Sequence, residues 1–294
     1  MVRNKLSVRL IYPSSGEEEG KVQKRIVALQ KLGCTVFYDE NPRDIFWPQT
    51  ASTIDHRAQT LVNALCEQES DVIMAARGGY GASDLLPSMP WTILKNIKPK
   101  WFVGFSDISA LHCGFYTKLG WKTLMHGSFD GEEGWEKRAD FHKLFALLQG
   151  RERDVRLQLD GAWHFDAPNT EREGLLFGGC LSVLTNLIGT PYGPQNLADH
   201  ILFLEDLNET PAKLMRQWNQ WIQSGLLEGV QAVVIGDLQN TYSPLSQQEI
   251  KKEFFRRSGL PVYSTSAFGH GKSNVPLLEG ARARIIGSEI RWSF

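Results

Sequence analysis

The apolar positions along the first half of the chain switch repeatedly between two periods. Leu6 to Tyr12 is a compact, mostly apolar run, which predicts a strand ended by Pro13-Ser14-Ser15-Gly16. Val22, Ile26, Leu29 and Leu32 then recur at helical spacing and mark one face of a helix. Cys34 to Tyr38 predicts a second strand, and Ile54, Ala58, Leu61, Val62 and Leu65 stripe a second helix. Val72 to Ala76 and Trp101 to Phe105 read as strands, with Ile108, Leu111, Phe115 and Leu119 striping the helix that follows. Leu124-Met125 is a short strand running into His126-Gly127. Alternation of this kind favours a parallel sheet with helices on both faces, where function collects at the carboxyl ends of the strands.

Residues 150–172 break the rhythm: the stretch is polar, holds Pro168 and two glycines, and reads as an interdomain crossover. Strand patterns return as LLFGG, ILFLED, AVVIGDL and PVYSTSA, with a helix from Thr210 to Gly225 that sets Leu214, Trp218, Trp221 and Ile222 on one face. The tail from Val275 to Phe294 reads as β. The expected architecture is α/β, with one domain over 1–149, a linker over 150–172 and a smaller, β-rich domain over 173–294. A chain of 294 residues is long enough for two cores.

Charge narrows the choice of partners. The net charge is −1 and the basic residues are scattered, so neither nucleic acid nor an acidic membrane surface is an expected partner. No apolar stretch is long enough to span a bilayer, and the apolar run at the start is too short for a signal peptide; a cytoplasmic location is expected. Cys34, Cys66, Cys113 and Cys180 form no CxxC pair and read as buried thiols in a reducing compartment.

Candidate chemistry sits at the predicted strand ends. ARGGYGASD, residues 76–84, lacks the Gly-Lys-Ser/Thr of a phosphate loop, and Asp84 stands where a dinucleotide fingerprint needs its last glycine. The alternatives are a flexible turn or a loop whose bare backbone N–H groups approach an oxyanion. One strand later comes GFSDISALH, in which Ser106 is either a helix N-cap or a nucleophile on a tight turn. Ile108 replaces the second glycine of G-x-S-x-G. In the second reading the backbone N–H of Asp107 is an oxyanion donor. His56, His112 and His142 fall on helix patterns, His126 ends a strand, and His270 lies between two glycines in FGHG after a strand, a position set by backbone shape. In ILFLEDLNE a four-residue apolar run meets Glu205-Asp206; a start of the next helix at Asp206 or Glu209 accounts for one acid and leaves Glu205 over. The order Ser, Glu, His fits a serine–histidine–acid triad, while no metal-binding spacing such as HExxH occurs.

Together ARGGYGASDLLP, GFSDISALH, the GG of LLFGGC, ILFLEDLNE and FGHG resemble the LD-carboxypeptidase family, which includes murein tetrapeptide carboxypeptidases and microcin-immunity peptidases. The resemblance covers nearly the whole chain, in order. It implies a flavodoxin-like amino-terminal domain carrying the nucleophile Ser106, and a smaller β-rich domain carrying the orienting Glu205 and the general base His270. The oxyanion donors would be the backbone N–H groups of Gly79 and Asp107, with Arg77, Tyr80 and His126 as candidate substrate contacts. It further implies a cytoplasmic homodimer that needs no cofactor and releases terminal D-alanine from murein tetrapeptide in cell-wall recycling. Two positions depart from the family pattern: Gly127-Ser128-Phe129 stands where members often have Gly-Pro, and Cys180 where they often have Asn. The alternatives are cleavage of a peptidyl-nucleotide carboxamide, as by microcin-immunity peptidases, or a binding module in which Ser106 only caps a helix.

Overall fold

Branched and aromatic runs become strands, and apolar stripes become helix faces, in a computed structural model of the chain. It describes residues 5–38, 49–127, 137–166, 170–239, 243–271 and 273–294. Ser128, Phe129 and Pro168 lie outside the described residues. The chain divides into two compact units, Met1–Arg153 and Asp154–Phe294.

In the first unit the order is β1 (Ser7–Ile11), α1 (Glu19–Lys31), β2 (Thr35–Tyr38), α2 (Ile54–Cys66), β3 (Val72–Ala75), α3 (Trp91–Leu94), β4 (Trp101–Gly104), α4 (Ser109–Leu119), β5 (Leu124–Met125) and α5 (Ala139–Leu148). These strands pair in parallel, as the alternation predicts, in the order β2-β1-β3-β4-β5, the flavodoxin-like winding that the family resemblance implies. All four residues of β3 are buried, as a strand covered on both faces requires. The loops after β1, β3 and β4 therefore emerge side by side at one sheet edge. Cys34 and Cys113 are buried, but Cys66 is exposed, contrary to the reading of every cysteine as a core thiol. It is the last residue of α2, where the helix face turns outward.

The second unit runs β6 (Asp154–Gln158), β7 (Gly161–Trp163), β8 (Arg172–Cys180), α6 (Leu181–Thr185), β9 (His200–Leu207), α7 (Pro211–Gln223), β10 (Ala232–Gln239), α8 (Gln247–Ser258), β11 (Val262–Ser264), β12 (Leu277–Leu278), β13 (Arg282–Ile286) and β14 (Glu289–Ser293). Its mixed sheet has the order β6-β14-β13-β8-β9-β10-β11-β7, with β8 to β11 parallel at the centre. Part of the polar stretch read as a crossover thus forms β6 and β7, the two edge strands. In β6 only Val155 and Leu157 are buried, so one face alone is apolar and the polar alternate residues conceal the strand.

Helix α7 opens on Thr210, whose side chain accepts from Lys213 N, followed by Pro211. Its fully buried Trp218 and Trp221 donate their indole N–H groups to Phe254 O (3.0 Å) and Thr185 Oγ1 (2.9 Å), tying α8 and α6 to one helix. Burying each such ring contributes on the order of 2–3 kcal/mol. Among the described residues, no helix is long and apolar enough to cross a membrane.

Candidate active site

Ser106 leaves β4 through Gly104-Phe105 and begins a single 3₁₀ turn, Ser106–Ile108, ahead of α4. Its φ is +62°. Among the described residues, the other non-glycine positions with positive φ are Asp199 and Asn208, residue types that tolerate this conformation. A serine held there stores roughly 1–3 kcal/mol of backbone strain. The N-cap alternative is not met, because Phe105 and Ile108 occupy the cap positions and neither makes a side-chain cap. Behind the turn, buried His112 donates from Nε2 to Gly104 O (3.1 Å), and burial pushes its imidazole down to about 4.

The glycine loop after β3 lies hard against this turn. A Cβ on Gly78 would stand 3.0 Å from both Phe105 O and Ser106 Cβ, and 3.3 Å from Asp107 N. Gly79, at φ +113°, has no room for a side chain because Ser15 fills the space. Ser15 Oγ in turn accepts from Tyr80 N at 3.1 Å. Asp107 is itself buried, and its Oδ2 accepts from Ser14 Oγ and from Ala82 N (2.9 Å). Burial raises the Asp107 carboxyl above its ordinary range, partly offset by those two bonds. The candidate donors Gly79 and Asp107 therefore sit on two loops in direct contact.

Of the candidate substrate contacts, Arg77 is exposed and donates Nη1 to Gly16 O (3.0 Å), a bond that shapes the loop. Tyr80 is 42% exposed. His126 is 2% exposed, edge-on to Phe141 with ring centroids 4.7 Å apart, and burial pushes it down to about 4.

In the second unit the strand ending ILFLED delivers two buried acids to opposite faces. Glu205 is 0% exposed, and its Oε2 accepts from His270 Nδ1 at 2.7 Å. Its other oxygen, Oε1, has no hydrogen-bond partner among the described residues. A carboxylate so deeply buried needs a cation or strong donor beside it, and the imidazole supplies one. Asp206 serves a different purpose. It accepts from Ser182 N (2.9 Å), Ser182 Oγ (3.1 Å) and Leu207 N (2.9 Å), fastening the start of α6 to β9. Burial and then neighbouring Glu205 push its carboxyl up to about 6. Cys180, register partner of Glu205, is pushed well above the ordinary thiol range by burial and by both acids.

The His270 loop is fixed from behind by Asp237, which the sequence reading did not single out. Gly269, at φ +120°, would place a Cβ 2.9 Å from Asp237 N, and Asp237 N donates to Phe268 O (2.8 Å). Gln247 Nε2 donates to Asp237 Oδ1 (2.7 Å). Beyond the strand-ending turn, nothing in the sequence pattern marks Ser14 or Ser15 for the site. The legible signal for Arg57 is a charged residue on the apolar stripe of α2, between Ile54 and Leu61. Among the described residues, no group of three or more His, Cys, Asp or Glu side chains is arranged to hold a metal ion.

Comparison with known proteins bears on these constellations. The sequence profile of the LD-carboxypeptidase N-terminal domain matches residues 8–127, and that of the C-terminal domain matches residues 173–285. The murein tetrapeptide carboxypeptidase of Pseudomonas aeruginosa is 29% identical over 257 residues, covering 82% of this chain and 81% of that protein. The muramoyltetrapeptide carboxypeptidase of Oxalobacter formigenes superposes with a TM-score of 0.79 at 24% identity, covering 98% of each chain. The microcin C7 self-immunity protein, solved with aspartyl sulfamoyl adenosine, gives a TM-score of 0.84 at 19% identity, covering 98% of this chain and 96% of that one. With both domain profiles matched in order over most of its length, this chain belongs to the LD-carboxypeptidase family.

Proposed function

We propose that this protein is a serine carboxypeptidase that releases terminal D-alanine from murein tetrapeptide, with Ser106 as nucleophile, His270 as general base and Glu205 as orienter. The observation that carries the reading is the 2.7 Å bond from His270 Nδ1 to the fully buried Glu205. That bond fixes the tautomer that leaves Nε2 as a base, and it stabilises the imidazolium formed during reaction. The strained φ of Ser106 supports the nucleophile role.

In this reaction Ser106 Oγ attacks the carbonyl carbon between the L-centre of meso-diaminopimelate and D-alanine, and His270 Nε2 takes the hydroxyl proton. The backbone N–H groups of Gly79 and Asp107 stabilise the tetrahedral oxyanion. Collapse breaks the C–N bond, and the imidazolium gives its proton to the departing amine of D-alanine. Water, activated by the same imidazole, then hydrolyses the acyl-enzyme. Arg77 and Tyr80 remain the candidates for contacting the substrate, a guanidinium fork being suited to the terminal carboxylate. His126 is left out because it is packed against Phe141. The reading extends to a cytoplasmic homodimer that needs no cofactor, as the family resemblance implies.

The test is D-alanine release from L-alanyl-D-glutamyl-meso-diaminopimelyl-D-alanine. Wild-type protein is expected to cleave this peptide and spare the same peptide ending in L-alanine, and Ser106→Ala is expected to lose activity by several orders of magnitude. Equal cleavage of both stereoisomers, or a tenth of the activity surviving in Ser106→Ala, overturns the reading. Cleavage of an aminoacyl sulfamoyl nucleoside in place of the tetrapeptide points to the microcin-immunity reaction.

A further inference from the structure

The Gly81–Ala82 peptide group is held at both ends by buried, oppositely charged side chains. Arg57, 3% exposed, donates Nη1 to Gly81 O at 2.7 Å. Asp107, 8% exposed, accepts from Ala82 N at 2.9 Å. The carbonyl and the N–H of a trans peptide point in opposite directions, so the cation faces the negative end of the peptide dipole and the carboxylate the positive end. Each side chain is also anchored elsewhere. Arg57 Nη1 donates to Pro13 O (2.7 Å) after β1, and its Nε donates to Ser52 O (3.0 Å) before α2. Asp107 is anchored through Ser14 Oγ, also after β1.

We infer that Arg57 and the Asp107 side chain form a two-sided clamp on this peptide, and that the clamp positions the glycine loop against the Ser106 turn for catalysis. The inference rests on the reading of Ser106 as nucleophile and of Gly79 and Asp107 as oxyanion donors. The loop needs such a device. Gly79 and Gly81 both sit at φ above +110°, conformations that glycine enters freely and leaves as freely. Unfixed, the Gly79 N–H would wander by more than the few tenths of an ångström that a preorganised oxyanion site tolerates. Asp107 adjoins Ser106 in sequence, so through the clamped peptide one side chain sets the nucleophile turn and the glycine loop in common register. Arg57 touches no reacting atom in this scheme and is a positioning residue.

The clamp is tested with Arg57→Lys, with Asp107→Ala, which removes the acceptor for Ala82 N while keeping the backbone N–H of residue 107, and with their combination. Lysine keeps the charge but cannot donate to Pro13, Gly81 and Ser52 together. Each single variant is expected to lower kcat on the tetrapeptide by about 10- to 100-fold while KM changes by less than about threefold. The double variant is expected to match the worse single one, as members of one unit do. Hydrogen exchange in the 77–84 segment is expected to quicken in both single variants while exchange in β8 to β10 stays unchanged. A structural staple would instead lower melting temperature and leave kcat of the folded fraction intact. Wild-type kcat in Arg57→Lys with unaltered exchange at 77–84, or full multiplicativity in the double variant, overturns the clamp. If the wild type does not cleave the tetrapeptide, the functional reading fails separately, and the clamp is judged on loop exchange and on the rate of fluorophosphonate labelling at Ser106. Slower labelling and faster exchange in the variants support it, and unchanged values refute it.

Discussion

Two adjacent carboxylates at the end of β9 show how one residue of register divides labour. Glu205 faces His270, whereas Asp206 faces Ser182 at the start of α6. Replacing Glu205 with Gln keeps the shape but removes the charge that stabilises an imidazolium, so kcat is expected to fall by about 10³-fold or more. Asp206→Asn retains an acceptor for Ser182 N and is expected to stay within about tenfold of wild type. Steady-state kinetics on the tetrapeptide decides the ranking, and the reverse order would transfer the orienting role to Asp206. That two acids cap a buried strand is legible in ILFLED. Helix capping and the family resemblance point to Glu205, but the pattern alone fixes only alternation and not which face lies toward FGHG.

Elements carry their own signals, and some of these are easily overlooked. Helix α8 begins with a capping box in which Ser246 Oγ accepts from Glu249 N (3.2 Å) and Glu249 Oε2 accepts from Ser246 N (2.8 Å). The S-x-x-E pattern is present in SQQE, followed by Ile250 and Phe254 at helical spacing. The helix matters to the site because Gln247, at its start, holds Asp237 and Leu238 N (3.1 Å) behind the His270 loop. Ser246→Ala is expected to cost about 1 kcal/mol of stability in denaturant unfolding. Since Gln247 keeps its own bonds, kcat should change by less than about twofold, and a larger loss with unchanged stability would show that the cap, and not Gln247, sets the loop. Strands β6 and β7 escape the sequence for the opposite reason. Being edge strands, they bury too few residues to outweigh their polar composition.

For the molecule as a whole, buried histidines set an acid limit. His112 and His126 are both pushed down to about 4 by burial, against an ordinary value near 6.5. Between those values the unfolded chain binds more protons than the native one, so their effect on stability is absent above about 6.5 and becomes a loss as pH falls toward about 4. Asp206, raised to about 6, acts with the opposite sign between its ordinary value and 6, so the comparison must be with a variant. His112→Gln is expected to narrow the drop in melting temperature between pH 7.5 and pH 4.5 relative to wild type, and an equal drop in both would remove His112 from the account. Chelation is expected to leave turnover unchanged, since the sequence offers no metal-binding spacing and His270 is engaged by Glu205. Loss of activity in EDTA restored by zinc would overturn the serine mechanism.

The sequence by itself determined the alternating strands and helices, the parallel winding of the first unit and the strand ends where Ser106, the glycine loop, Glu205 and His270 sit. These follow from local period and from glycine or acid placement, which need no knowledge of distant residues. Only tertiary structure decided that Ser106 sits at φ +62° instead of capping a helix, that Asp206 turns to Ser182 at the start of α6, and that His126 is packed against Phe141. The same holds for Arg57 and Asp107, 50 positions apart, closing on one peptide bond. Such pairings depend on which loops the sheet brings side by side, and a linear pattern does not contain that information.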